Sequence, residues 1–162
     1  FDMGLLMELP RPIGLAARAL VVQPDYKQGA LHSLFLEIYG GIPDVHMMFG
    51  SSAIGTYSQQ ALRSYYTAQG MDSDSLSAEE KARFHFQRAV DLSDGHAVGP
   101  YVGLAGSFAV KNQDADEYRS LLEKALAIEV EKYPEHRLEN TILQEKAIWM
   151  LDHIGDKFLI LE

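Results

Sequence analysis

The residues best suited to chemistry in this 162-residue chain are six histidines and a few paired acids. The histidines are His32, His46, His85, His96, His136 and His153. A zinc-protease helix needs two histidines at i and i+4 with a glutamate between them. No two of the six stand so, and His85 and His96 are separated by an expected helix end. We expect no metal and no cofactor, and histidines that are solvated or hydrogen-bonded locally. Glu79-Glu80 and Asp114/Asp116 could act as acid–base pairs. Both fall at helix starts, where a carboxylate meets the positive end of the helix dipole, so capping is the better account. The chain has no cysteine, which removes disulfides, thiolate catalysis and cysteine metal ligands. "GPYVGLAG" lacks the Gly-Lys-Ser/Thr ending of a phosphate loop, and Gly99, Gly103 and Gly106 miss the dinucleotide spacing. No Gly-x-Ser-x-Gly nucleophile elbow occurs. No residue is expected to be catalytic, and the chain is not expected to be an enzyme.

Two features suit recognition instead. His46, Met47, Met48 and Phe49 place large apolar groups in an expected glycine-serine loop over 44–55, either tucked into the core or offered to a partner. Tyr65 and Tyr66 follow on the next helix, and tyrosine buries area while keeping a polar tip.

Composition narrows the partners. The chain is 47% hydrophobic and 23% charged, which suffices for a real core. Its net charge is −9 and no block of Lys or Arg stands out, so it lacks the footprint for nucleic acid. No uninterrupted apolar run reaches the length of a membrane span. It begins at Phe1 rather than Met, which reads as a processed or truncated product whose targeting signal lies outside the sequence.

The elements that must position these residues read as helices. An apolar piece over 2–9 stops at Pro10 and Pro12, and a helix over 13–22 ends before Pro24. Asp25 is expected to cap a helix with Tyr26, Ala30, Leu31, Leu34, Phe35 and Ile38 on its apolar face. Thr56 is expected to cap the next, with Tyr57, Ala61, Leu62, Tyr65 and Tyr66 on one side. Ser77-Ala-Glu-Glu80 is a capping box opening a helix to about Leu92. Pro100 suits the first turn of a helix to about Val110. Asp114-Ala-Asp-Glu117 opens another, with Tyr118, Leu121, Leu122, Ala125 and Leu126 behind it. The last helix is expected to start near Pro134 and reach about Ile154. Its apolar residues form two patches: Leu138, Ile142, Ile148 and Trp149 on one side, and Leu143, Ala147, Met150, Leu151 and Ile154 on the other. That pattern predicts a helix sandwiched between neighbours. The small residues Gly103, Ala105, Gly106, Ser107 and Ala109 predict a close helix–helix contact.

A repeat runs through these helices. "AARALVVQP", "QRAVDLS" and "EKALAI" each put an alanine between a basic and an aliphatic residue. Ala89 follows Ala19 by 70 positions and Ala125 follows Ala89 by 36. A tetratricopeptide unit is about 34 residues, so the spacings approximate two units and one. Position 54, midway in the longer gap, falls in the glycine-serine loop. The predicted fold is all-α: a right-handed stack of antiparallel helical hairpins forming a degenerate tetratricopeptide-like superhelix, one domain over 1–162, with 44–76 as an insertion.

Three stretches carry a resemblance: "FHFQRAVDLSDGHAVGPYVGLAGSFAV" (84–110), "LLEKALAI" (121–128) and "PEHRLENTILQEKAIWMLDHIGDKF" (134–158). A weaker one is "ALVVQPDYKQGALHSLFLEIYGG" (19–41). Together they cover about half of the chain. They resemble the T component of tripartite ATP-independent periplasmic (TRAP) transporters. The family-like positions are Gly99, Pro100, Tyr101, Arg137, Asn140 and Trp149, with structural roles implied. Asp94 departs from the pattern where a glycine is expected. The resemblance implies a periplasmic, homotrimeric scaffold, lipid-anchored through an N-terminal part absent from this sequence, which makes this chain the C-terminal piece of a longer protein or a divergent relative. Its implied partner is the solute-binding P component, with handover of a small organic or hydrophobic ligand through a channel in each subunit. Two other classes stay open: a general tetratricopeptide adaptor, favoured by a charged concave groove, and a helical carrier or enzyme with an internal apolar pocket. A buried titratable cluster would favour the enzyme.

Overall fold

A computed structural model describes residues 10–41 and 53–159. All regular structure among them is helical: α1 Pro10–Val22, α2 Ala30–Gly41, α3 Ala53–Ala68, α4 Ala78–Leu92, α5 Gly99–Leu104, α6 Ala115–Leu126 and α7 Arg137–Asp152. Short 3-10 turns lie at Tyr26–Gly29, Val130–Lys132 and Ile154–Asp156. Helix α1 packs on α3, α2 on α4 and α5, and α6 on α5 and α7. None of these helices is long and apolar enough to cross a membrane.

Local chemistry sets most boundaries. Ser77 Oγ accepts from the Glu80 N–H at 3.2 Å while Glu80 Oε2 accepts from the Ser77 N–H at 2.7 Å, so the capping box opens α4 as read. At α6 only half of a box forms: Asp114 Oδ1 accepts from the Glu117 N–H at 2.8 Å. Pro100 sits in the first turn of α5, where its missing N–H costs nothing. Tyr118, Leu121, Leu122 and Ala125 are buried on one face of α6, as the pattern predicts.

Several expectations change. Pro10 and Pro12 lie inside the first turn of α1, so the helix starts before Ile13. Asp25 makes no side-chain cap, because Tyr26–Gly29 is a tight 3-10 turn. Lys27 and Gln28 there adopt positive φ values of 43° and 53°, and Gly29 one of 95°. That bend brings Gly29 against α4, where an added Cβ would lie 3.0 Å from Ala89 Cα. Helix α3 starts at Ala53, which places Thr56 within it, and α7 starts at Arg137, after a turn at Pro134. Ala89 and Ala125 are fully buried, whereas Ala19 is half-buried.

The small-residue stretch is more specific than its pattern. After α5 the helix widens into a π turn over Ala105–Ala109. Ser107 Oγ donates to the Gly103 carbonyl at 2.7 Å. The close crossing is between α2 and α5. A Cβ on Gly40 would sit 2.5 Å from Ser107 Cβ, and one on Gly103 would meet Glu37 Oε1 at 2.6 Å and Leu36 Cδ2 at 3.3 Å. Gly106 is exposed on the other side of the turn, with Met150 Cε at an ordinary 3.5 Å. The contact thus lies at Gly103 and not at Gly106.

Helix α7 is not sandwiched. Ala147 and Met150 are buried, and Leu143, Leu151 and Ile154 are partly buried against the core. Leu138, Ile142, Ile148 and Trp149 are 51–77% exposed. One face packs and the other is open.

Candidate functional site

Of the recognition residues expected from sequence, His46, Met47, Met48 and Phe49 lie outside the described residues. Tyr65 and Tyr66 do not form an accessible surface: they are 5% and 0% exposed and face inward. The reason is a polar core that apolar periodicity does not reveal. His32 and His85 are fully buried, with their Nδ1 atoms 2.7 Å apart. His32 Nε2 lies 3.3 Å from Tyr65 Oη, and His85 Nε2 lies 2.8 Å from Tyr66 Oη. Tyr66 in turn donates to Tyr39 Oη at 3.1 Å.

The Tyr66-to-Tyr39 hydrogen bond sets one direction through this chain. If Tyr66 donates to Tyr39, its oxygen accepts from His85 Nε2–H. His85 Nδ1 then carries no proton and accepts from His32 Nδ1–H, and His32 Nε2 accepts from the Tyr65 hydroxyl. One proton per contact satisfies every member with both imidazoles neutral. Burial favours that state. It lowers His32 to about 4, helped by the nearby Arg88 charge, and lowers His85 well below the usual histidine range, helped by His32. Burial raises the Tyr39 hydroxyl to about 12 and raises Tyr66 further, with Tyr39 adding to the shift. Lys81, 8% exposed, holds Nζ 6.0 Å and 5.9 Å from the Tyr39 and Tyr66 ring centres. The cluster joins α2, α3 and α4, and its hydroxyl and imidazole atoms are bonded to one another. It is a buried titratable cluster, the feature that would favour an enzyme, and no ring of it is more than 5% exposed. A signal did exist: His32, Phe35, Leu36 and Tyr39 recur at i, i+3, i+4 and i+7, and Lys81, His85 and Ala89 at i, i+4 and i+8.

The remaining histidines serve locally. His96 stacks on Tyr133 at 3.6 Å, and His153 stacks on Trp149 at 4.4 Å. His136 bonds Gln28. Among the described residues no group of three or more histidines and acids could hold a metal ion.

The family-like positions divide in two. Asn140, 1% exposed, accepts from the Val98 N–H at 3.0 Å and donates to the His96 carbonyl at 2.8 Å, tying α7 to the entry of α5. Pro100 is buried, and Tyr101 packs edge-on to Phe86 at 5.5 Å. Gly99 faces Glu139 and Leu143 at ordinary distance. Arg137 is exposed and pairs with Glu131 at 3.3 Å.

Trp149 is at the surface and borders a cleft of about 220 Å³. The cleft is lined by Gly106, Val110, Tyr118, Lys146, Trp149, Met150 and Lys157. The π turn forms one wall and α7 the other. Tyr118 donates to the Met150 carbonyl at 3.0 Å and packs edge-on to Phe158 at 5.1 Å.

Sequence comparison places these features. Residues 53–158 match the model of the TRAP transporter T-component family. That match covers well over half of the chain, and the chain belongs to this family. The weaker stretch over 19–41 falls outside the matched residues. The chain is also 23% identical over 142 residues to an uncharacterized protein of Treponema pallidum (strain Nichols), covering 88% of this chain and 35% of that protein. It therefore spans about a third of that relative's length. No solved structure matches. The family is one of transport components.

Proposed function

We propose that this chain is a non-catalytic docking module that binds the solute-binding component of a TRAP transporter and aids transfer of its ligand. The observation that supports this reading is the open face of α7. Leu138, Ile142 and Trp149 lie within about 40° of one another on the helix wheel, at roughly 100° per residue. Each is more than half exposed. Contiguous exposed apolar surface on a soluble domain marks an interaction site. Trp149 supplies the large amphipathic ring that anchors interfaces.

In this reading the stacked hairpins are degenerate tetratricopeptide units of one domain. The full protein works in the periplasm as a lipid-anchored homotrimer, and segment 44–76, with Met47, Met48 and Phe49, adds to the contact. A general peptide adaptor would use the same face for an unrelated partner.

The test is capture from native periplasmic extract with this chain as bait, read by mass spectrometry. Recovery of a TRAP-type solute-binding protein by the parent chain, with loss of capture by Leu138→Ser/Ile142→Ser, supports docking through α7. Equal capture by that variant removes α7 from the interface. Failure of the full-length protein to capture any solute-binding protein leaves the adaptor reading.

A further inference from the structure

We propose that the cleft between the π turn and α7 is a binding site for a carboxylate carried on a flat apolar body. Two of its seven lining residues are cations and none is an acid, in a chain of net charge −9. Lys146 and Lys157 make no ion pair among the described residues, whose ion pairs use Arg63, Arg83, Arg119, Lys132 and Arg137. Two uncompensated ammonium groups over low-dielectric walls concentrate positive potential on whatever enters. A carboxylate there gains charge-assisted hydrogen bonds.

The walls select what the carboxylate is attached to. Val110, Met150 and the Trp149 indole offer apolar and aromatic surface, and Met adapts its shape to a ring. Gly106 has no side chain, so the π turn leaves the floor open. π turns of this kind frequently occur at functional sites. A cavity of about 150 Å³ accepts benzene, so a cleft of about 220 Å³ holds one ring and a short acid arm. A bare phosphate would meet the same lysines but leave the apolar walls unfilled, with no burial of apolar surface to add to the charge.

The two lysines come from separate elements whose placement is fixed. Lys146 is on α7. Lys157 follows the 3-10 turn at Ile154–Asp156, and Gln113 clamps that segment, donating to the Lys157 carbonyl at 3.1 Å and accepting from the Leu159 N–H at 2.9 Å. Phe158, buried against Tyr118, holds it from below. The inference rests on the cleft alone. It needs neither a partner nor a membrane, and it shares neither Leu138 nor Ile142 with the docking test.

Trp149 is the single tryptophan of the chain, so binding can be read at the site itself. The intact chain is titrated with phenylacetate and followed by indole fluorescence and by the indole N–H signal in NMR. Saturable changes are expected, at least about tenfold weaker with phenylacetamide or inorganic phosphate. Lys146→Met/Lys157→Met should weaken phenylacetate binding by at least about tenfold while thermal melting stays at the parent value. Gly106→Leu should block the cleft. Saturation by phenylacetate assigns a free acid. Saturation only by an acetylated Gly-Gly-Phe peptide with a free α-carboxylate assigns the end of a protein chain. Binding of the amide or of phosphate as tight as the acid overturns the proposal. So does undiminished binding by the double lysine variant, or an unmoved indole signal with both acids at millimolar concentration.

Discussion

The Nδ1 atoms of His32 and His85 face each other at 2.7 Å in the centre of the fold. Such a pair accommodates one shared proton, not two charges, and burial keeps both rings neutral. The consequence for stability has a definite sign. In the unfolded chain each ring protonates near 6.5, whereas in the folded chain burial holds His32 down to about 4 and His85 well below the usual histidine range. Between these values the unfolded state holds more protons, so acid favours unfolding. Each histidine should remove about 1.4 kcal/mol per pH unit, beginning as pH falls through about 6.5. Urea unfolding at a series of pH values measures this. A flat profile from pH 7 to 4 would show that the folded pair takes up protons as readily as the free side chain.

Tyr66 is the hinge of the same network, since its hydroxyl serves both His85 and Tyr39. Tyr66→Phe should cost about 1–3 kcal/mol by leaving buried polar atoms without partners. Tyr57, whose exposed hydroxyl accepts from Arg18 at 2.7 Å, is the control. Tyr57→Phe should stay within about 0.5 kcal/mol of the parent. Equal effects of the two substitutions would remove the network from the account of stability.

The sequence reading reached the helical class, the capping box at Ser77 and the buried stripe of α6, because each rests on short-range chemistry. It put Tyr65 and Tyr66 on the apolar side of their helix and also offered them for recognition, because the histidines that engage their hydroxyls inside count as polar in any periodicity. It sandwiched α7 because Leu138, Ile142 and Trp149 are as apolar as the residues opposite, and a wheel cannot tell a packed face from an open one. The cleft was illegible for another reason. Gly106, Tyr118, Trp149 and Lys157 are distant in sequence and meet only once the π turn and the segment after α7 have been placed.

Asn140 and Arg137 carry equal weight in the sequence resemblance, but the fold separates them. Asn140 satisfies one buried N–H and one carbonyl across the α5–α7 junction. Asn140→Ala should destabilise by about 1–3 kcal/mol. Arg137 makes a single exposed ion pair, and Arg137→Ala should change stability by less than about 1 kcal/mol. Denaturant midpoints for the two variants decide this. A larger loss at Arg137 would mean that its motif position has a role beyond the pair with Glu131.

The crossing of α2 over the π turn that continues α5 depends on Gly40 and Ser107. A methyl group on Gly40 would sit 2.5 Å from Ser107 Cβ, an atom fixed to the backbone, so the helices must separate. Overpacking of this kind typically costs about 1–3 kcal/mol. At Gly106, where only the flexible end of Met150 is near, Gly106→Ala should be tolerated. The assignment can be tested as a pair. Ser107→Gly opens the space that Gly40→Ala fills, so the double variant should regain part of the loss, as coupled neighbours do. Strictly additive unfolding free energies would mean that the damage at Gly40 arises somewhere other than this crossing.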